Sequence, residues 1–357
     1  MDPRSVSDSV PRADGPDGPE KAPRASAPPE LTPADWDRLA RLRRSFLDAS
    51  GSTTGVALPD YWTSRRDLEI YDATFGARIG WKWNAVLDEI ARRGLDVPSG
   101  TIVDWGAGTG VASRAFLRRF GAEGREVHLL DRSSDARRHA AERLRAEHPT
   151  CSVVEKPPER ADVLLASHVL DELDTAGLDD LLVAASRARF FVWIESGAKS
   201  ASRALSHARD RLLDTLDPLL PCTHRERCGV LVEGHESDWC HHFATPAPES
   251  FTTNHWRTFS RTLGIDLRSL PYSYLVARAR DASPLPFAGA CRRLGTGRTE
   301  KGRASFLVCD ASGVRTCEIL ERTDKRFVKA LREGEEERLL DVEERDGRVV
   351  HVAPREC

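Results

Sequence analysis

The chain has 357 residues, 40% hydrophobic and 31% charged, with a formal net charge of −3. This suits a soluble globular protein of one large or two ordinary domains. No run approaches the ~20 consecutive apolar residues that span a bilayer, no basic head precedes an apolar run at the N-terminus, and the charge balance draws no nucleic acid by itself. The chain is therefore read as cytoplasmic and not membrane-bound, and any nucleic-acid contact needs a local basic patch.

Residues 1–30 are rich in Pro, Asp, Gly, Ser and Ala. They cannot bury enough apolar surface to offset ordering, so a disordered tail is expected. Residues 31–98 read as a helical N-terminal region. Thr32-Pro33-Ala34-Asp35 is an N-cap followed by Pro at the first helical position, and Trp36, Leu39, Leu42, Phe46 and Leu47 recur at helical spacing. Tyr61 to Arg93 continues the pattern, with Tyr71, Phe75, Ile79, Trp83, Val86, Leu87 and Ile90 on one apolar face.

Residues 99–220 alternate strand and helix. Strands are expected at Thr101–Trp105, Glu126–Asp131, Cys151–Val154, Asp162–Ser167 and Phe190–Glu195. Helices are expected at Asp135–Glu147, Leu178–Ser186 and Arg203–Leu216, the last stopped before Pro218. The fold class is α/β, a doubly wound parallel sheet. Residues 221–280 hold three cysteines, four histidines and little periodicity up to Ser250, then a late sheet strand at Tyr272–Arg278. Residues 281–357 read as a small β-rich C-terminal element, with a hairpin of Ser305–Asp310 and Val314–Glu321 around Ala311-Ser312-Gly313.

Val103-Asp104-Trp105-Gly106-Ala107-Gly108-Thr109-Gly110 ends the first strand. Glycines there let the backbone turn sharply into a helix and approach a ligand without a Cβ clash. Asp104 is a candidate for the ammonium of a bound methionine moiety. Asp131, at the end of the next strand, can accept both hydroxyls of a ribose. This resembles the first two motifs of class I S-adenosylmethionine (SAM)-dependent methyltransferases. The cofactor-binding set is Asp104, Gly106, Gly108, Gly110, Asp131 and Ser167. A nicotinamide enzyme would carry a longer Gly-x-Gly-x-x-Gly turn. His168, after the fourth strand, reads either as a general base or as a residue lining the pocket. No motif for exocyclic amines and no Pro-Cys nucleophile stands on that strand.

Pro221-Cys222-Thr223-His224 to Cys228, then Asp238-Trp239-Cys240-His241-His242-Phe243, places three thiols within nineteen positions. With a distant fourth they suggest a closed metal site, for zinc or an iron–sulfur cluster. His224 or His241 could complete a zinc site. Lys301-Gly302-Arg303-Ala304-Ser305 leads to Cys309 and Gly313.

These segments resemble the methyltransferase-like assembly factors of the small ribosomal subunit, known from mitochondria and bacteria. That family joins a SAM-type fold to a Pro-Cys-Pro-His…Cys-Pro…Trp-Cys-His-Phe segment, followed by Lys-x-Gly-His…Cys…Gly. The resemblance runs from about Leu58 to Phe327. It implies Cys222, Cys228, Cys240 and Cys309 as ligands of a 4Fe-4S cluster and a role in maturing the small subunit near its rRNA; Cys291, favoured only by its basic surroundings, is the second choice for the fourth ligand. Thr223 and Gly229 replace family prolines, and Arg303 and Ala304 stand where the family has a His after the Gly.

Arg292, Arg293, Arg298, Lys301 and Arg303 form a basic run, read as candidate rRNA phosphate contacts; Arg65 and Arg66 are further candidates. Three functions are consistent with these features: a SAM-dependent rRNA methyltransferase, a ribosome-assembly factor that binds SAM and rRNA without chemistry, and a small-molecule methyltransferase with a structural zinc. The oligomeric state is not legible.

Overall fold

The structure is a computed structural model and describes residues 30–50, 62–154, 156, 158–334, 338–345 and 347–355. The expected disordered tail falls outside the described residues up to position 29, as do the side chains of Phe46 and Leu47.

The N-terminal region is three helical pieces: α1 (Pro33–Ser50), α2 (Arg65–Tyr71) and α3 (Ala77–Arg92), with one π-helical turn at Asp72–Gly76 between the last two. Thr32 and Asp35 cap α1 reciprocally, side chain to backbone. Trp36, Leu39 and Leu42 pack on Trp256 and Phe259, so α1 is fastened to a helix more than two hundred positions away.

The central sheet contains β1 (Thr101–Trp105), β2 (Glu126–Leu130), β3 (Ser152–Val154), β4 (Val163–Ser167), β5 (Phe190–Ser196), β6 (Leu216–Leu220), β7 (His242–Phe243) and β8 (Pro271–Ala279). Its order is β3-β2-β1-β4-β5-β8-β6, with β7 also on β8. The pairs among β1 to β5 are parallel; β8 runs antiparallel between β5 and β6. Between the strands lie α4 (Val111–Phe120), α5 (Ser134–Glu147), α6 (Thr175–Arg187) and α7 (Lys199–Leu212), and after β7 come α8 (Glu249–Thr252) and α9 (Asn254–Leu263). Strand side chains alternate between faces. Val163 and Leu165, with Phe190, Val192 and Ile194, pack under α3 and α4. Leu164 and Ala166, with Phe191 and Trp193, pack under α6 and α7. This is a doubly wound α/β sheet.

The helix expected over Arg203–Leu216 stops instead at Leu212, and Leu216 begins β6. Pro218 therefore lies within a strand. It is tolerated because β6 is the last strand in the sheet order, with no neighbour asking for its missing N–H.

A second sheet is antiparallel: β9 (Cys291–Glu300), β10 (Arg303–Asp310), β11 (Gly313–Leu320), β12 (Leu339–Arg345) and β13 (Arg348–Pro354), in the order β11-β10-β9-β12-β13. Helix α10 (Lys325–Glu333) covers one face through Val328 and Leu331. Leu307 and Cys309 of β10 face the other way, toward Cys228, Val230 and Leu231.

Candidate functional site

The turn after β1 is held by carboxylates. Gly106 has φ of +66°, and a Cβ there would lie 2.5 Å from Val169 Cγ1; only glycine fits. The Gly108 N–H donates to Asp131 Oδ2 at 2.8 Å, and the Ser133 N–H donates to Oδ1 at 2.9 Å. Burial raises the Asp131 carboxyl above its usual range against these donors. Asp131 and Gly106 line a cavity of about 920 Å3, closed by Trp105 and Arg132, Val153 of β3, and Val169 and Glu172 beyond β4. A cavity of this size accepts a nucleoside-sized ligand. Gly110 sits at the N-cap of α4.

Asp104 lies in β1, two residues before Gly106. It is fully buried; Ser113 donates to Oδ2 from both its backbone N–H and its hydroxyl, and Oδ1 has no hydrogen-bond partner among the described residues. Burial pushes its carboxyl up to about 6. It braces the first turn of α4 through Ser113.

Ser167 ends β4 and His168 follows it. The Trp83 indole N–H donates to Ser167 Oγ at 2.9 Å, and that oxygen lies 3.3 Å from His168 Nδ1. His168 has φ of +55°, the one positive value of a non-glycine among the described residues. Its Nε2 is 3.0 Å from Lys82 Nζ. Burial lowers both groups, Lys82 to about 7 and His168 well below the usual histidine range. Glu195 of β5 accepts the N–H groups of Val169 and Leu170 and the Trp193 indole, at 2.9, 3.2 and 2.7 Å. It thereby fixes the backbone that presents His168, and burial pushes its carboxyl up to about 7. Lys82 and Glu195 escaped sequence reading. Lys82 was one polar residue on an amphipathic helix, and Glu195 looked like an ordinary strand end.

The thiols converge at the seam between the two sheets. Cys222, Cys228 and Cys240 line a cavity of about 30 Å3 with Ser202, Ser206 and Arg209 of α7 and Tyr274 of β8. Cys309 adjoins them, with Sγ 3.6 Å from His224 Nε2; Cys240 Sγ is 3.7 Å from His242 Nε2. Burial, then the field of Cys222, pushes the Cys228 thiol up to about 11. The Cys309 thiol is raised by burial and by Cys222 and Cys228, and the Cys240 thiol by burial and by all three others. Among the described residues, no three His, Cys, Asp or Glu side chains stand close enough together to hold a metal ion. Cys291 is elsewhere. It faces the α10 side of the second sheet, with Sγ 3.1 Å from Asp310 Oδ2. His241 stacks on Trp239 instead of approaching a thiol. Cys151 and Cys317 are buried core residues.

The basic run divides. Arg292 and Arg293 are buried. Arg292 donates to Pro221 O and Glu89 Oε1, both at 2.8 Å. Arg293 donates to Gly295 O at 2.8 Å. They cannot offer guanidiniums to RNA, which corrects the reading of the whole run as a surface. Arg298, Lys301 and Arg303 are exposed, with Arg303 paired to Glu300. Arg65 and Arg66 engage Glu142 and Asp35.

Among the described residues, no helix is long and apolar enough to cross a membrane. No curated protein matches the chain. Among solved structures, it is similar to the magnesium protoporphyrin IX methyltransferase of Synechocystis PCC 6803 with bound SAH. Identity is 10%, over 69% of this chain and 100% of that one, with a TM-score of 0.35. It is also similar to an O-methyltransferase family protein of Burkholderia thailandensis. Identity is 16%, over 70% of each chain, with a TM-score of 0.36. Likenesses this low carry no argument, and the fold stands on its own strand order. The family model described as mitochondrial small ribosomal subunit Rsm22 matches residues 73–335, a span that takes in the glycine turn, His168 and all four converging thiols, and the chain belongs to the Rsm22 family.

Proposed function

We propose that the protein binds SAM at the Gly106–Gly110 turn and acts, as a methyltransferase-like factor, on the small ribosomal subunit or its rRNA. It carries a 4Fe-4S cluster on Cys222, Cys228, Cys240 and Cys309. One observation carries the SAM reading: Asp131, at the end of β2, stands in the wall of the large cavity while bracing the Gly108 N–H. A carboxylate there can accept ribose hydroxyls. SAM, when bound, supplies an electrophilic methyl group. The chain's part is to hold the nucleoside against Asp131 and to present Ser167 and His168 at the neighbouring strand end. Lys82, poised near neutrality, can take a proton from an acceptor nitrogen or oxygen. Family membership supports the small subunit as the partner, and counts against a small-molecule methyltransferase.

For the cluster, the support is the thiol chemistry and the family resemblance, since among the described residues no three metal-binding side chains stand close enough together to hold an ion. Four soft thiols, from the irregular segment and from β10, meet beside buried cationic side chains. Three of them, Cys222, Cys228 and Cys240, line a cavity of about 30 Å3. A zinc site is the alternative, favoured by His224 beside Cys309. The reading without methyl transfer is favoured by another contact: His168 Nε2 is already engaged by Lys82. Exposed Arg298, Lys301 and Arg303 are the remaining candidates for rRNA phosphates. Cytoplasmic action is part of the proposal; the described cysteines are free, as in any reducing compartment, whereas the family description names mitochondria.

The test is anaerobic purification, with iron, sulfide and zinc analysis, calorimetry with SAM, and co-sedimentation with small-subunit precursors. A band near ~400 nm with about four irons per chain, together with SAM binding and co-sedimentation, supports the proposal. A colourless zinc protein removes the cluster, and absence of SAM binding removes the methyltransferase reading. Tritium from labelled SAM appearing in rRNA separates the enzyme from the non-catalytic factor.

A further inference from the structure

The second sheet closes on itself. Its order is β11-β10-β9-β12-β13, α10 lies between its third and fourth strands, and β11 meets β13 to shut the barrel. This is the connectivity of the five-stranded OB barrel, whose second and third strands commonly carry oligonucleotides. Connectivity alone assigns no ligand, so the side chains decide. On the outer face of β10, Leu307 and Cys309 are covered by Cys228, Val230 and Leu231. The other half of that face runs to the Lys301-Gly302 turn, where Arg298, Lys301 and Arg303 are exposed, with Glu300 and Glu318 beside them.

A stack of rings adjoins this barrel. His241 lies over Trp239, with centroids 4.6 Å apart and planes at 18°, and meets Phe243 edge-on at 5.4 Å. None of the three residues is fully buried. The stack is tied down on two sides. The Trp239 indole N–H donates to Gly197 O at 3.0 Å, just past β5, and the Gly295 N–H of β9 donates to His241 O at 3.0 Å. A Cβ on Gly295, at φ of +59°, would lie 2.9 Å from His241 Cε1, so the imidazole is seated on bare backbone. The rings stand at the carboxyl edge of the central sheet. There β7 pairs with Pro271 and Tyr272 at the start of β8, beside Ser196 at the end of β5. Ser167 ends the next strand, β4. In the other direction, Arg298 follows Gly295 by three residues of β9, about 10 Å of strand.

We propose that this seam holds unpaired RNA: bases extend the Trp239–His241–Phe243 stack, and neighbouring phosphates meet Arg298, Lys301 and Arg303 of the barrel. Every base has a π-face that a fixed aromatic ring can cover, whereas a duplex keeps those faces to itself. A strand held this way is led to the edge where Ser167 and His168 stand. The inference rests on the small-subunit reading above for the source of the RNA, and on neither SAM nor a metal group at the thiols.

The experiment is equilibrium binding of the full chain to an oligoribonucleotide of about ten nucleotides containing 2-aminopurine, followed by fluorescence, beside a duplex of the same sequence. Stacking on the rings quenches the probe. The single strand is expected to bind about tenfold more tightly than the duplex, and Trp239→Ala to lose about tenfold in affinity and most of the quenching. Trp239→Phe should return most of both. Replacing Arg298 and Lys301 by Glu should lower the salt dependence yet leave quenching at saturation intact. Melting curves identify a variant that fails to fold, and His241→Ala with His241→Phe then supplies the same comparison. Equal affinity for single strand and duplex overturns the inference, as does full quenching by a folded Trp239→Ala chain. Equal losses in Trp239→Ala and Trp239→Phe also overturn it, since the bond to Gly197 would then be what matters. A wild-type chain that co-sediments with small-subunit precursors but fails these tests loses this inference alone. One that neither co-sediments nor binds RNA loses the small-subunit reading as well.

Discussion

Lys82 Nζ lies 3.0 Å from His168 Nε2, with no carboxylate ion-paired to it among the described residues. Burial, then the field of Arg78, lowers the amine to about 7, although Glu195 opposes the shift. In the unfolded chain the same amine holds its proton up to the ordinary value of 10.5. Between these two values the unfolded state binds more protons, so stability rises with pH; below the lower value the penalty is fully present. Lys82→Met should therefore raise the urea midpoint near about pH 7 and flatten its rise toward about pH 10. Parallel wild-type and variant slopes over that window would show that Lys82 titrates normally.

Asp131→Ala removes both the ribose acceptor and the brace on Gly108 and Ser133. SAM affinity should fall by about tenfold or more, with a modest loss of stability of about 1 kcal/mol for the unmade hydrogen bonds. Calorimetry and thermal melting separate the two effects. Undiminished affinity would remove Asp131 from the site.

Gly106→Ala places a methyl group 2.5 Å from Val169 Cγ1 at φ of +66°. Strain at such a position costs about 1–3 kcal/mol. A drop in melting temperature is expected, accompanied by weakened SAM binding because the turn and the loop after β4 must part. A neutral substitution would mean that the turn is looser than its contacts imply.

Cys291→Ser should leave iron content unchanged, because its thiol faces Asp310 on the far side of the second sheet. Cys222→Ser and Cys309→Ser should each lose most of the iron. Iron retained in the Cys309 variant and lost from the Cys291 variant would reverse the assignment of the fourth ligand.

Replacing Arg298 and Lys301 together by Glu should weaken binding to small-subunit rRNA several-fold and lower the dependence on log salt by about 2. Arg293→Ala should destabilise the fold, since that side chain is buried under the second sheet. Filter binding across a salt series, paired with melting curves, distinguishes the two. An unchanged salt slope would remove the exposed pair from the interface.

The parallel strands were legible because both faces of the sheet are buried, so each is a short continuous apolar run, as at Val163 to Ala166 and Phe190 to Ile194, with helical segments between them. The glycine turn and Asp131 were legible because a local spacing carries their geometry. Arg292 and Arg293 were not: a run of charges looks solvated in one dimension, and only the distant Glu89 and Pro221 explain the burial of Arg292. Strand β6 was missed for a similar reason. Pro218 reads as a helix stop, and its place at the end of the sheet order depends on β8, dozens of positions later. Lys82 meets His168 across 86 positions, a contact that no periodicity encodes.

The seam that gathers the thiols also imposes an order in time. Cys222, Cys228 and Cys240 precede β8, whereas Cys309 lies in the middle of the second sheet. The join is tight there: a Cβ on Gly229 would lie 2.7 Å from the Val314 backbone nitrogen. During synthesis the first three sulfurs emerge while their fourth wall is still being translated, and they stand open to oxidation until β9 to β11 arrive. A product truncated before Cys309 would keep the glycine turn yet never close its thiol chamber.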